Sequence, residues 1–130
     1  MKRFFASTIK CYEEDNVLVV ALGDDAQAPA NFMIITRLDD DDHASVEEGI
    51  GFHTDQAEYE RSDAIEKVVL CPASLEVVVK PEFVEFFGGS RFLAELPRGS
   101  DAVPEQVAVL KSALQTVFSG TRVERLNTTD

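Results

Sequence analysis

Apolar residues in this chain come in runs of strand length, and a single stretch carries a long helical stripe. Val17-Leu18-Val19-Val20-Ala21-Leu22 is continuous, rich in β-branched residues and stopped by Gly23, as a buried strand is. Phe4 to Cys11 alternates loosely, with Phe5, Ser7, Ile9 and Cys11 on one side and Phe4, Ala6, Thr8 and Lys10 on the other. The polar turn Glu13-Glu14-Asp15-Asn16 between these runs predicts a hairpin. After a loop over Gly23 to Ala30, Asn31 to Arg37 predicts a third strand. Gly51 to Arg61 alternates as a polar-faced edge strand, with Gln56 to Ile65 open to a helical reading. Ile65–Cys71 and Ser74–Lys80 form the clearest hairpin, interrupted by Pro72-Ala73, and Arg91–Leu96 predicts the last strand.

The helical signals are few. Pro81 opens a short turn over Glu82–Phe87 that Gly88-Gly89 closes, and its three phenylalanines read as core packing. From about Pro104 to Phe118, Val107, Leu110, Leu114, Val117 and Phe118 recur at three- and four-residue spacing, with Gly120 as the stop. The tail over 121–130 reads as frayed and polar. The expected architecture is α+β: one globular domain over residues 1–130. It is mainly an antiparallel sheet of about six strands, covered on one face by the C-terminal helix and the short helical turn. The strands do not alternate with long helices, which argues against a doubly wound parallel sheet. A chain of 130 residues can bury a core without disulfide or metal staples.

The charge is uneven. The net charge is −12, from 24 acids and 12 bases. Between Leu38 and Glu66 stand Asp39, Asp40, Asp41, Asp42, Glu47, Glu48, Asp55, Glu58, Glu60, Asp63 and Glu66, with Arg61 as the only base, so this segment alone carries −10. Such a balance argues against nucleic acid and against an anionic membrane surface as partners. It fits either a solvated loop or a surface that steers a basic protein partner. The candidate partner-binding residues are therefore Asp39, Asp40, Asp41, Asp42, Glu47, Glu48, Asp55, Glu58 and Glu60. Calcium is the weaker alternative: four adjacent aspartates diverge and lack the spaced ligands and closing Glu of an EF-hand.

Motifs for catalysis are absent. There is no G-x-S-x-G, H-E-x-x-H or Walker loop; Gly49-Ile50-Gly51 lacks a dinucleotide fingerprint, and Gly88-Gly89-Ser90 precedes a strand, not a helix. His53 lies two residues from Asp55, so a strand would turn both the same way, yet a surface pair explains that spacing without catalysis. Cys11 and Cys71, without C-x-x-C spacing, read as buried reduced thiols and not as a disulfide framework or zinc site. No apolar run is long enough for a membrane span and no secretory signal is evident, so the expected location is the cytoplasm. No enzyme, cofactor or metal is expected. A ligand pocket between the sheet and the Phe83–Phe87 turn, or an adaptor role through an exposed sheet edge, is the alternative to a steering surface.

The order of marks in the middle and end of the chain is familiar. Asn31-Phe32-Met33-Ile34-Ile35-Thr36-Arg37 is followed by an acidic segment, then by Gly51 to Tyr59 with Asp55-Gln56. Ala64-Ile65-Glu66-Lys67-Val68-Val69-Leu70 and Ser74-Leu75-Glu76-Val77 come next, and the Leu110, Leu114, Val117, Phe118, Gly120 helix closes the series. Together they resemble the immunity protein 10 family of bacterial polymorphic toxin systems. Where the family carries an aromatic-glycine stretch before the Ile65 strand, this chain reads Arg61-Ser62-Asp63-Ala64. The resemblance implies a non-catalytic inhibitor that binds a cognate toxin domain and blocks it. The residues leave monomer and homodimer open, since an exposed edge strand could pair two copies.

Overall fold

The chain changes sheet twice, each time within two residues. The computed structural model describes residues 2–15, 17–25, 30–38, 49–55, 60–71, 74–96, 104–119 and 124–127. Strand β1 (Lys2–Phe5) lies in one sheet and β2 (Thr8–Glu14) in the other. The loose alternation of Phe4 to Cys11 marks this corner. Phe4 and Ala6 are buried, then Ile9 is buried, so the inward parity switches in between. Ala6 N–H donates to the Glu95 carbonyl at 2.8 Å, and the Ser7 hydroxyl donates to the Asp24 carbonyl at 2.8 Å, tying the corner to both sheets.

Sheet two is an antiparallel meander of β2, β3 (Val17–Gly23), β4 (Phe32–Leu38), β5 (Ile50–Thr54) and β6 (Arg61–Ser62) in sequence order. The expected edge strand over Gly51–Arg61 thus becomes β5 and β6, with 56–59 outside the described residues. The second change of sheet follows β6. Asp63 takes a left-handed conformation (φ 56°), and its N–H donates to the Ile50 carbonyl at 3.0 Å as the chain turns away.

Sheet one has the order β1-β9-β8-β7-β10, with β7 (Ile65–Cys71), β8 (Ser74–Val79), β9 (Arg91–Glu95) and β10 (Glu124–Asn127). The predicted β7–β8 hairpin is present, with an irregularity between Ile65 and Lys67. The strands thus sort into two five-stranded sheets where sequence reasoning expected one of about six. The tail expected to fray supplies β10, which pairs in parallel with β7, and β1 pairs in parallel with β9. Pairing partners this far apart in sequence leave no local mark.

One core fills the space between the sheets. After a 3-10 turn (Pro81–Phe83), the helical turn α1 (Val84–Phe87) ends at Gly88, whose left-handed backbone (φ 74°) lets the chain reverse into β9. Phe87 is fully buried, with its ring centroid 5.2 Å from Phe52 of sheet two and 6.0 Å from Phe92 of sheet one. Phe52 and Phe92 meet edge to face at 5.6 Å. Phe83 and Phe86 pack partly buried against this core and carry the Arg61 guanidinium at 5.3 and 4.9 Å from their centroids. The turn's phenylalanines are therefore packing elements, as expected.

Helix α2 (Pro104–Val117) lies against β2 and β3, burying Leu110, Leu114 and Val117, with Phe118 buried just past its end. Arg37 of β4 fixes the C-terminus of α2. Its Nη1 donates to the carbonyls of Thr116 at 2.9 Å, Val117 at 2.9 Å and Ser119 at 2.8 Å. A cation there satisfies carbonyls left over by the helix and meets the negative end of its dipole. The domain is α+β, and no helix among the described residues is long and apolar enough to cross a membrane.

Candidate functional site

Sheet two has one buried face and one open face, set by the period-two alternation of its strands. Ile9, Val20, Leu22, Met33, Ile35, Ile50 and Phe52 point into the core. The residues between them face outward: register places Tyr12, Val19, Thr36 and Gly51 in one row across four strands. Lys10, Ala21, Ile34 and His53 form the next row.

Two of the nine predicted acidic site residues belong to this open face and hold its strands together. Asp55 Oδ1 accepts the Phe32 N–H at 3.0 Å, tying the start of β4 to the end of β5. Glu60 Oε1 accepts the Thr36 hydroxyl at 2.6 Å, and its side chain lies over Gly51, where a Cβ would collide with it. Asp39, Asp40, Asp41, Asp42, Glu47, Glu48 and Glu58 lie outside the described residues, as does His43. His53 faces the same way as Asp55, and its ring meets Phe32 edge-on at 5.2 Å. Phe32 is thus gripped through its backbone by Asp55 and through its ring by His53.

The ends of sheet two differ. At one end, β2 and β3 are joined at Glu13, Glu14 and Asp15, all exposed, with Asp15 in the left-handed turn conformation (φ 51°). The same end is where β4 leaves at Leu38 and β5 begins at Ile50, because Glu14 pairs with Val17, and Val17 with Leu38. Leu38 and Ile50, the strand ends on either side of residues 39–49, therefore lie at the same end of sheet two as Glu13, Glu14 and Asp15. Sequence reasoning treated Glu13-Glu14-Asp15 as a polar turn only. That it shares an end of the sheet with Leu38 and Ile50 follows from the meander.

The opposite end is organised by Asp24. Its Oδ1 accepts the Ala30 N–H at 2.9 Å and the Asn31 N–H at 3.3 Å, and its Oδ2 accepts the Asn31 side-chain amide at 2.8 Å. The Asn31 side-chain hydrogen bond, seconded by these backbone donors, holds the Asp24 carboxyl below the usual range. This clamp closes the connection from β3 to β4.

A groove of about 340 Å³ runs between α2 and the β2–β3 hairpin at the acidic end, lined by Tyr12, Glu13, Leu18, Val109, Ala113 and Thr116 among others. Its walls are largely apolar. Cys11 also borders it, half-buried and free, and burial pushes its thiol pKa up. Cys71 is likewise half-buried and free, so both thiols are less buried than expected. The groove lies elsewhere than the expected pocket beside the Phe83–Phe87 turn, where the Phe87 side chain is fully buried. Among the described residues, no cluster of three His, Cys, Asp or Glu side chains could hold a metal ion.

Sheet one is charge-balanced by comparison. Arg3 and Glu95 form an ion pair at 3.3 Å, and Lys67 and Arg91 share the sheet with Glu66 and Glu76. No family model matches the chain, and no curated protein matches it.

Proposed function

We propose that this protein is a non-catalytic inhibitor, an immunity protein that neutralises a toxin domain by covering a basic surface on it. The observation that carries this reading is the concentration of charge. Ten of the twelve net negative charges fall between Leu38 and Glu66. The densest part of that segment springs from the end of sheet two that already bears Glu13, Glu14 and Asp15. A field of one sign at one end orients an approaching basic protein and raises its association rate. Toxins that act on nucleic acid need a positive surface for their substrate, so an acidic inhibitor competes for the same patch. The order of hydrophobic and polar marks that resembles the immunity protein 10 family agrees with this role.

The test has two stages. The tagged protein is used to capture partners from its source cells at low salt, and each captured domain is then expressed alone in a bacterial host. A domain that stops growth, with growth restored by co-expression of this chain, establishes the reading. Captured domains that are harmless, or that remain toxic beside this chain, overturn it.

A further inference from the structure

We infer that the groove between α2 and the β2–β3 hairpin receives one apolar side chain of the partner, flanked there by lysine or arginine. This inference rests on the inhibitor reading and names the place where the contact is made. Three observations converge on it. The described residues include four exposed large hydrophobics: Phe5, Tyr12, Leu38 and Val109. Of these, Val109 (51% exposed) borders the groove from the α2 side. Exposing such side chains has a cost in water that covering them removes.

The groove is also large enough for a bulky side chain, and its walls come from rigid elements. Leu18 lies on the central strand of the β2–β3–β4 ladder, paired with Glu13 and Arg37. Ala113 and Thr116 sit on a helix whose end is held by Arg37. A preformed pocket of this kind takes an anchor with little ordering cost. The third observation is charge. Glu13 lines the groove itself, and Glu14 and Asp15 follow it in the exposed β2–β3 turn. An apolar anchor framed by cations is the chemistry that complements an apolar groove framed by acids.

The probe is the capped pentapeptide Arg-Lys-Phe-Lys-Arg, titrated into ¹⁵N-labelled full-length protein and followed by NMR. Two comparison peptides replace the phenylalanine by serine or the four cations by glutamate. The expected result is saturable shifts at Tyr12, Leu18, Val109 and Ala113, with each comparison peptide binding at least roughly tenfold more weakly. Ser112→Trp, which fills the groove from an exposed helix position, gives the same loss, and so does Val109→Lys. Thermal melting of both variants confirms that they fold. Equal binding of the phenylalanine and serine peptides overturns the inference, as do shifts centred elsewhere or no saturable binding. In the growth assay, full rescue by Ser112→Trp overturns the groove while leaving the inhibitor reading intact. Failure of the unaltered chain to rescue overturns that reading, and the peptide titration still decides the groove.

Discussion

Arg37 and Thr116 are 79 residues apart in sequence, and the Arg37 guanidinium donates to the Thr116 carbonyl at 2.9 Å. Together with the bonds to Val117 and Ser119, this contact joins the middle of sheet two to the end of α2. Arg37→Ala should cost about 1–2 kcal/mol, from the lost charge-assisted bonds and helix-dipole contact. Arg37→Lys should recover part of this, since an ammonium keeps the charge without the planar fork. Urea unfolding gives the magnitude. Hydrogen exchange at Val117 and Phe118 should accelerate more than exchange in β7 and β8.

Asp63 holds a backbone conformation that ordinary side chains avoid, and its carboxylate pairs with Lys80 at 2.6 Å. The pair is partly exposed, so by itself it contributes at most about 1 kcal/mol. Asp63→Gly loses the pair but adopts the left-handed turn freely, and should stay within about 1 kcal/mol of the parent. Asp63→Val loses the pair and strains the turn, and should cost about 1–3 kcal/mol more than the glycine variant. Equal unfolding midpoints for the two would show that the corner is not held in this conformation.

Asp24 sets an acid-side dependence. Its folded pKa lies below the ordinary carboxylate value, so the clamp is fully present above the unfolded value of about 3.9. The contribution is lost as pH falls through the lower folded value. The stability difference between the parent and Asp24→Asn should therefore be constant above about pH 5 and close below about pH 4. Asn31→Ala, which removes the principal donor, should move the Asp24 titration back towards the ordinary value in an NMR pH series.

Neutralising Asp39 to Asp42 as asparagines should slow association with a toxin partner and flatten its salt dependence, leaving dissociation nearly unchanged. Long-range charge acts on encounter more than on the docked complex. Adding Glu13→Gln and Glu14→Gln should deepen the loss, because these residues belong to the same end of the sheet. Stopped-flow association at several salt concentrations measures both effects. An unchanged association rate would assign the acidic run to solvation alone.

What the sequence revealed and what it hid divide along the range of the contacts involved. The β2–β3 and β7–β8 hairpins and α2 are legible because alternation, a local turn and a helical stripe each lie within about twenty residues. The division into two sheets is not local. Its one trace is the parity change between Ala6 and Ile9, which reads as loose alternation until a second sheet is known to exist. β10 offers one apolar residue, Leu126, and becomes a strand through parallel pairing with β7. The charge concentration could be counted directly from the residues. That Glu13, Glu14 and Asp15 share an end of sheet two with Leu38 and Ile50 needed the meander, and the groove needed α2 laid on β2 and β3.

The parallel pairs at the two edges of sheet one also dictate an order of assembly. β7, β8 and β9 follow one another and can zip together as neighbours, whereas β1 must find β9 across most of the chain, with Lys2 opposite Phe92. Contacts that close such long loops form late and slow the overall folding rate. Since the β1 edge leads through Ala6 and Ser7 directly into β2, the late step that completes sheet one also brings the two sheets into their final alignment. Sheet two, whose strands β2 to β6 each pair with a neighbour in sequence, needs no such closure, so its acidic end can take shape before sheet one is complete.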